Sequence, residues 1–203
     1  MMDLDSFNDD QKCWKAFLAG SHAAFSTLFK THYNALYQYA RRQCGETEPA
    51  HECVQQLFYQ LWVGKNNISE VTHVKAYLFK GLRVSLQKEK KYHQRFLHLD
   101  VSPQPVTFSP EEILLEDETY DIRRRKIADV LNMLPKRQRE MVYLKYYENL
   151  SYQQIAEVLG MNYQSVVNAV FRAIQRLREE NELKQLVVYS LIFLPVLFCA
   201  MIF

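Results

Sequence analysis

The chain has 203 residues and a formal net charge of +2, with 48% hydrophobic and 24% charged residues. These values are those of an ordinary folded protein and exclude a disordered one. The length leaves room for one large or two small domains, and the net charge is too small to indicate a nucleic-acid partner by itself.

The first half of the chain repeats apolar residues at helical spacing. A short helix is predicted over 13–19, followed by a longer one that Ser21 caps and Gly45 ends. Pro49 suits the first turn of the next helix, and a turn at 64–67 closes it. We therefore predict a helical bundle in this half.

A third amphipathic helix is predicted from about Val74 to about Arg95, and it is strongly basic. Aromatic faces can stack on unpaired bases while cations follow the strand, so the composition favours a surface for single-stranded nucleic acid. The residues concerned are Tyr77, Phe79, Lys80, Arg83, Lys88, Lys90, Lys91 and Tyr92. In the other interpretation, the aromatic residues belong to the core and the lysines are solvated.

Residues 98–121 combine three prolines with a block of acidic side chains. Proline-rich, polar composition is typical of an extended linker. Between Asp100 and Asp121 there is no lysine or arginine, so this segment is opposite in sign to the basic helix before it. The linker therefore divides the chain into candidate domains at 1–97 and 122–182.

The segment 134–179 contains two short amphipathic series that meet at Gly160. Ser151 is a good N-cap for the first helix, and Gly160 is a good residue just past its end. The apolar positions are Tyr152, Ile155, Ala156 and Leu159 in the first series and Val166, Val170, Ala173, Ile174 and Leu177 in the second. Two such helices joined by a tight turn form a helix-turn-helix.

The opposite face of the second helix is polar and cationic, with amides near its start and guanidinium groups further along. A recognition helix has this layout, because its first turns meet base edges while cations meet phosphates. The predicted contact residues are Tyr163, Gln164, Ser165, Asn168, Arg172 and Arg176, with backbone contacts from Lys136, Arg137 and Arg139. An ordinary surface helix also turns polar residues outward, so the pattern alone leaves both interpretations open.

These residues resemble the C-terminal domain of sigma-70 family factors, and more narrowly the small extracytoplasmic-function (ECF) sigma factors. The resemblance rests on Leu134, Pro135, Arg139, Leu144, Leu150, Ser151, Tyr152, Ile155, Ala156, Leu159, Gly160, Val166, Ala173 and Leu177. It implies an all-α fold in which a region 2-like bundle and a region 4-like helix-turn-helix are joined by the acidic linker. Val167 and Ala169 depart from the family pattern, so no −35 base preference transfers.

The first half resembles the same family. Residues 52–62 are similar to the helix that docks on the β′ coiled coil of core RNA polymerase, and 76–91 to the segment that melts and reads the −10 element. The resemblance implies docking through Glu52, Gln55, Gln56, Phe58, Tyr59 and Trp62. It also implies contact with the β flap, promoter DNA as a partner, and an anti-sigma factor as a candidate partner. Cys53 and Gln56 stand at positions of the docking helix that are often acidic, and core binding is still expected. Val84 replaces an asparagine that is common near the −10 pocket, so the −10 base preference cannot be read.

The C-terminal run at 186–203 carries no charge, and its length reaches the roughly 18 residues at which a membrane span becomes plausible. Three interpretations stay open. The run is an anchor in the inner membrane, a helix buried on this protein, or a segment that docks in a partner such as an anti-sigma factor. A solvated apolar tail of this size is disfavoured.

No phosphate loop, zinc-protease motif or nucleophile elbow is present, so we expect neither an enzyme nor a cofactor. The spacing of Cys44, His51 and Cys53 fits no standard zinc motif, and no signal peptide precedes the first domain. We therefore expect reduced thiols, no metal and a cytoplasmic location in a bacterium.

The residues and the resemblance together favour a sigma factor that reads −10 and −35 elements while it is bound to core polymerase. The alternatives are a membrane-tethered helix-turn-helix regulator that binds duplex DNA alone, and an interaction protein that reads no DNA. The sigma-factor interpretation predicts two separate helical bodies with Asn168 and Arg172 open to solvent. A single merged core counts against it.

Overall fold

The computed structural model of the protein describes residues 4–45, 47–96, 106–109 and 121–179. Within these ranges every regular element is helical, which confirms the predicted all-α class. The helices are α1 (Leu4–Leu18), α2 (His22–Cys44), α3 (Thr47–Gly64), α4 (Val74–Phe96), α5 (Asp121–Met133), α6 (Lys136–Tyr146), α7 (Tyr152–Leu159) and α8 (Tyr163–Glu179), with a 3-10 turn at Lys65–Asn67. The first helix begins earlier than predicted, because the mostly polar residues before Cys13 carry no clear apolar period.

The predicted ends of α2 are confirmed. The Ser21 hydroxyl accepts a hydrogen bond from the Ala24 amide at 3.2 Å, which satisfies one of the amides left open at a helix start. Gly45 has φ of 78°, a left-handed conformation that costs glycine little, and its N–H donates to Arg41 O. The chain can therefore turn sharply from α2 into α3.

The first group of helices packs around α2. Helices α1, α3 and α4 all lie against it, and α4 also packs on α3. Trp14 and Phe17 of α1 are 1% exposed, and Leu36 of α2 and Leu82 of α4 are fully buried. Burial of such side chains stabilises each by about 1.5–3 kcal/mol relative to exposure. This group is the helical bundle that the sequence predicts.

The second group is built around the helix-turn-helix, with α6 and α7 packed on α8. Its core contains Leu144, Ile155, Val166 and Ala173, all fully buried. The apolar series read from the sequence therefore face inward, and the residues between them are left on the surface.

The two groups are packed against each other. Helix α4 lies between the first bundle on one side and α7 on the other, and the buried residues form one continuous hydrophobic cluster. The expectation of two separate bodies is therefore wrong for this form of the chain. A helix with partners on two sides buries more than one apolar stripe, and the single stripe read from the sequence did not indicate the second partner.

A short piece of the predicted linker, residues 106–109, lies on this joint core. Val106 and Phe108 are buried, and the Asn132 side chain donates to Phe108 O and accepts from Phe108 N, both at 3.0 Å. Arg42 of the first group donates to Thr107 O. The linker is thus held by both groups at this point.

The C-terminal run at 186–203, for which three interpretations are open, lies outside the described residues. Within the described ranges, no helix combines the length and the apolar character that a membrane span requires.

Candidate nucleic-acid interface

Local hydrogen bonds and backbone geometry fix the helix-turn-helix at three places: the start of α7, its end and the start of α8. Ser151 and Gln154 form a capping box, in which the Ser151 hydroxyl accepts from Gln154 N at 3.2 Å and the Gln154 side chain accepts from Ser151 N at 2.7 Å. Gly160 ends α7 with φ of 63°. The Asn162 side chain then accepts from Gln164 N at 2.8 Å, which satisfies an open amide at the start of α8. The predicted cap and turn residues of α7 are confirmed.

Replacing Ser151 with alanine is expected to lower the free energy of unfolding by about 1 kcal/mol, because the Gln154 amide loses the hydroxyl oxygen to which it donates, while the backbone N–H of residue 151 still donates to the Gln154 side chain. Urea denaturation monitored by circular dichroism measures this change. Ser26, an exposed serine inside α2, provides the matched control, and Ser26→Ala should leave the stability unchanged or raise it slightly, because alanine is the better helix former. Equal stability of Ser151→Ala and the unmodified chain contradicts the capping role.

The predicted recognition residues all lie on the outer face of α8. The exposed positions are Tyr163, Gln164, Ser165, Asn168, Arg172 and Arg176. Gln164 donates to the Asn168 side chain at 3.1 Å, and the Arg172 guanidinium donates to Asn168 O at 3.3 Å. These bonds hold amides and a guanidinium side by side, as a surface that meets base edges and phosphates requires. Contact with DNA stays a prediction.

Phe171 is a member of this face that the sequence analysis missed. Its ring is 58% exposed, and it follows Gln164 by seven residues, so the two side chains share a helix face. The sequence did offer a signal: Phe171 lies outside the apolar series of α8, at helical spacing from a predicted recognition residue. Apolar groups on a recognition helix can contact the thymine methyl group in the major groove.

The basic residues that precede the helix-turn-helix are placed unequally. Lys136 and Arg137 are exposed at the start of α6, whereas Arg139 is partly buried and burial lowers the pKa of its guanidinium. Lys136 and Arg137 are therefore better placed than Arg139 to reach a phosphate backbone.

The predicted single-strand surface on α4 is only partly open. Lys80 and Lys88 are exposed, while the side chains of Lys90, Lys91 and Tyr92 lie outside the described residues. Phe79 is fully buried, so the prediction that its ring is open to bases is wrong in this arrangement. Its ring packs edge-on against Tyr39 at 5.3 Å, because this side of α4 is covered by neighbouring helices.

Tyr77 and Arg83 of the same surface are engaged by other parts of the protein. The Tyr77 ring lies edge-on to Trp14 at 5.3 Å. The Arg83 guanidinium donates to Glu140 of α6 at 2.9 Å. Burial acts to lower the pKa of Arg83, but the Glu140 carboxylate and Tyr39 outweigh it and the pKa is raised. Arg83 therefore stays charged while it is held away from any strand.

The predicted docking face on α3 is mostly exposed. Glu52, Gln55, Gln56 and Tyr59 lie open to solvent, with Tyr59 62% exposed, and Trp62 is half-buried beneath Lys65. Phe58 is the exception. It is 3% exposed and packs on Phe25 and Phe29, because it shares the apolar stripe of α3, so its predicted place in the docking surface is wrong. Val63, 62% exposed, extends the open face instead.

The part of the chain that the structure describes contains no group of three histidine, cysteine, aspartate or glutamate side chains arranged to hold a metal ion. His51 instead pairs with Tyr33 at 2.6 Å, and Cys53 contacts Cys44. That contact, followed by burial, raises the pKa of the Cys53 thiol. A thiol with a raised pKa is a poor nucleophile and a poor metal ligand at neutral pH.

Comparison with known proteins shows which family these features resemble. The family model for sigma-70 region 4 matches residues 124–177, which contain the helix-turn-helix. The RNA polymerase sigma-E factor of Streptomyces avermitilis is 26% identical over 167 residues, covering 82% of this chain and 90% of that protein. The ECF RNA polymerase sigma factor SigL of Mycobacterium tuberculosis is 27% identical over 161 residues, covering 79% and 90%.

Two solved structures share the fold. One is CnrH in complex with the cytosolic domain of CnrY, with a TM-score of 0.58, 19% identity and coverage of 83% of this chain and 94% of that one. The other is the sigma factor RpoE of Bartonella quintana in complex with the anti-sigma factor NepR, with a TM-score of 0.58, 24% identity and coverage of 76% and 94%.

Proposed function

Because the chain belongs to the ECF group of the sigma-70 family, we propose that it binds core RNA polymerase and directs transcription initiation at promoters with −10 and −35 elements. It acts in the bacterial cytoplasm, where both partners are found. It is a specificity subunit with no catalysis of its own, and an anti-sigma factor is a further candidate partner.

The observation that carries this proposal is the exposed face of α8. Three features coincide there: a capped helix-turn-helix, amides and guanidinium groups open to solvent, and the match to region 4. We assign −35 reading to Gln164, Ser165, Asn168 and Arg172, with Tyr163 and Arg176 at the edges.

The remaining surfaces divide between polymerase and the −10 element. We assign docking on the β′ coiled coil to Glu52, Gln55, Gln56, Tyr59 and Trp62, of which only Trp62 is partly buried. Lys80, Lys88 and Arg83, with Lys90 and Lys91, are assigned to −10 melting. Arg83 can take this role only after it leaves Glu140, because one guanidinium cannot serve a buried carboxylate and a strand together.

Purified full-length protein added to core polymerase is expected to start transcripts at discrete positions on genomic fragments, because sequence recognition is supplied by α8 and activity by the polymerase. Run-off transcription followed by mapping of the start sites measures this. The same protein without polymerase should bind short duplexes weakly, since one small module buries only about 600–1,000 Å² on DNA.

The controls separate the two candidate functions. Reactions with core polymerase alone should give no discrete start sites. Unchanged initiation in the absence of the protein, or tight sequence-specific duplex binding by the protein alone, contradicts the sigma-factor proposal. Those results favour a helix-turn-helix regulator that works without polymerase.

A further inference from the structure

Two cysteine side chains meet where α2 turns into α3. Cys44 is the last residue of α2, and Cys53 lies in the second turn of α3, beyond the sharp turn at Gly45. The chain reverses direction at Gly45 and the two helices pack on each other, so these two residues become neighbours. A hydrogen bond joins the two thiols. The pair lies within the first helix group.

The pair is open to small molecules but not to large ones. Cys53 is 8% exposed, whereas Cys44 is partly exposed. Cys53 also lines a cavity of about 540 Å³ between α3 and α4, with Glu52 and Gln56 on one wall and Glu89 on the other. A small solute can therefore reach the thiols, while the low exposure of Cys53 disfavours a disulfide between two chains.

Contacting thiols need only a short further approach to become bonded. A disulfide joins its sulfur atoms at about 2.05 Å and requires side chains that point toward each other, which excludes most cysteine pairs in a fold. The side chains of Cys44 and Cys53 do point toward each other, as their hydrogen bond requires. Either cysteine alone would be an ordinary small buried residue. Their contact is what indicates redox chemistry.

We propose that Cys44 and Cys53 are a redox-sensitive pair, which hydrogen peroxide converts into a disulfide that draws the start of the docking helix α3 toward α2. The disulfide itself follows from the thiol contact and is independent of the proposed function. Its effect on polymerase docking rests on the proposed function, because Glu52, Gln55 and Gln56 lie beside Cys53 on α3.

The more exposed sulfur, that of Cys44, reacts first. It attacks one oxygen of hydrogen peroxide, the O–O bond breaks, and the thiol proton leaves with the other oxygen as water. Cys44 has then lost two electrons and is a sulfenic acid. The Cys53 sulfur attacks Cys44 Sγ, the S–O bond breaks, and the hydroxyl leaves with the Cys53 proton as a second water. In total, two thiols and one peroxide give one disulfide and two waters.

The raised pKa of Cys53 sets the order of these steps. The hydrogen bond to Cys44, and then burial, keep Cys53 protonated at neutral pH, so it is a poor first attacker. Once Cys44 is oxidised, the two sulfur atoms are already in contact, and this proximity compensates for the low fraction of thiolate. Cys53 is therefore the resolving residue of the pair.

Mass spectrometry of the full-length protein after treatment with a molar excess of hydrogen peroxide tests the pair. Because no lysine or arginine lies between Gln43 and Gly64, both cysteines fall in one tryptic peptide, 43–65. The mass of this peptide should drop by two hydrogens, with no second chain attached. Cleavage after Glu46 or Glu52 should then give two pieces that stay joined until dithiothreitol separates them.

Two single substitutions provide the controls. Cys44→Ser should abolish the loss of two hydrogens, whereas Cys13→Ser, which removes a partly exposed thiol of α1, should leave it unchanged. Circular dichroism checks that both variants fold, and the measurement on the unmodified chain needs neither of them. The proposal is overturned if peptide 43–65 of the unmodified chain keeps two free thiols, gains oxygen as a sulfinic acid, or joins another cysteine.

Binding to core polymerase tests the consequence for docking. After the peroxide is removed, the oxidised full-length protein should bind core about tenfold more weakly than the reduced protein, the loss expected when one well-placed interface side chain is displaced. The same treatment should not change the affinity of Cys44→Ser. Equal affinity of the two forms, with the disulfide present, overturns the effect on docking. Failure of the reduced protein to start transcripts with core polymerase defeats the proposed function alone.

Discussion

Ile155→Ala is expected to lower the free energy of unfolding by about 2–5 kcal/mol and to abolish initiation at temperatures where the unmodified chain is active. Ile155 is fully buried in α7, a helix that packs on α4, α6 and α8. Removing its methyl and methylene groups loses transfer free energy and leaves a cavity that the surrounding helices fill only in part. Since native proteins are stable by only about 5–15 kcal/mol, this loss is a large share of the total.

Urea denaturation monitored by circular dichroism measures the stability of this variant, and run-off transcription measures its activity. Glu157→Ala, two residues further along α7 and exposed, is the matched control and should change the stability by no more than about 0.5 kcal/mol. A loss from Ile155→Ala no larger than the control's would show that α7 does not hold the core as described.

Arg172→Ala is expected to weaken −35 recognition by about 1–3 kcal/mol, or about 5- to 150-fold, without changing the stability of the protein. The Arg172 side chain is exposed on α8, and among the described residues it bonds to Asn168 O, one helical turn earlier, so its removal leaves the core intact. Transcription by the reconstituted holoenzyme on promoters with single base changes in the −35 element measures the effect.

The pattern across these promoters tells what Arg172 touches. A guanidinium that reads a base loses discrimination at one position, whereas one that contacts only phosphate loses affinity almost uniformly and lowers the salt dependence. Arg125→Ala, an exposed arginine of α5 outside the recognition face, controls for the loss of one positive charge. Equal activity of Arg172→Ala and Arg125→Ala would remove Arg172 from the −35 contact.

Helix ends and the helix-turn-helix could be predicted from the sequence because their causes are local. The capping serines Ser21 and Ser151 and the left-handed glycines Gly45 and Gly160 act within one turn of the chain. The outward face of α8 follows from its own apolar period. For these features, the neighbouring residues along the chain are sufficient to determine the structure.

The contact between the two groups could not be predicted in this way. Glu140 reads as an ordinary surface acid, and nothing local indicates that Arg83, 57 residues earlier, will bond to it. Phe79 was misplaced for a related reason, because it lies next to the apolar stripe of α4 and a neighbouring helix covers its ring. Phe58 differs, because it lies in the apolar stripe of α3 and only the family resemblance placed it on the docking surface. Burial on a second side depends on long-range packing that periodicity does not show.

The side-chain clamp of Asn132 on Phe108 bears on how the protein can be cut into fragments. A piece beginning at the start of α5 would lack Val106 and Phe108, and the Tyr147 ring, 5.4 Å from Phe108, would lose its cover. Such a fragment would expose an apolar surface and would tend to self-associate. A stable, separately expressed promoter-reading fragment should therefore begin upstream of Val106. That position lies inside the segment 98–121, which its composition predicts to be a linker.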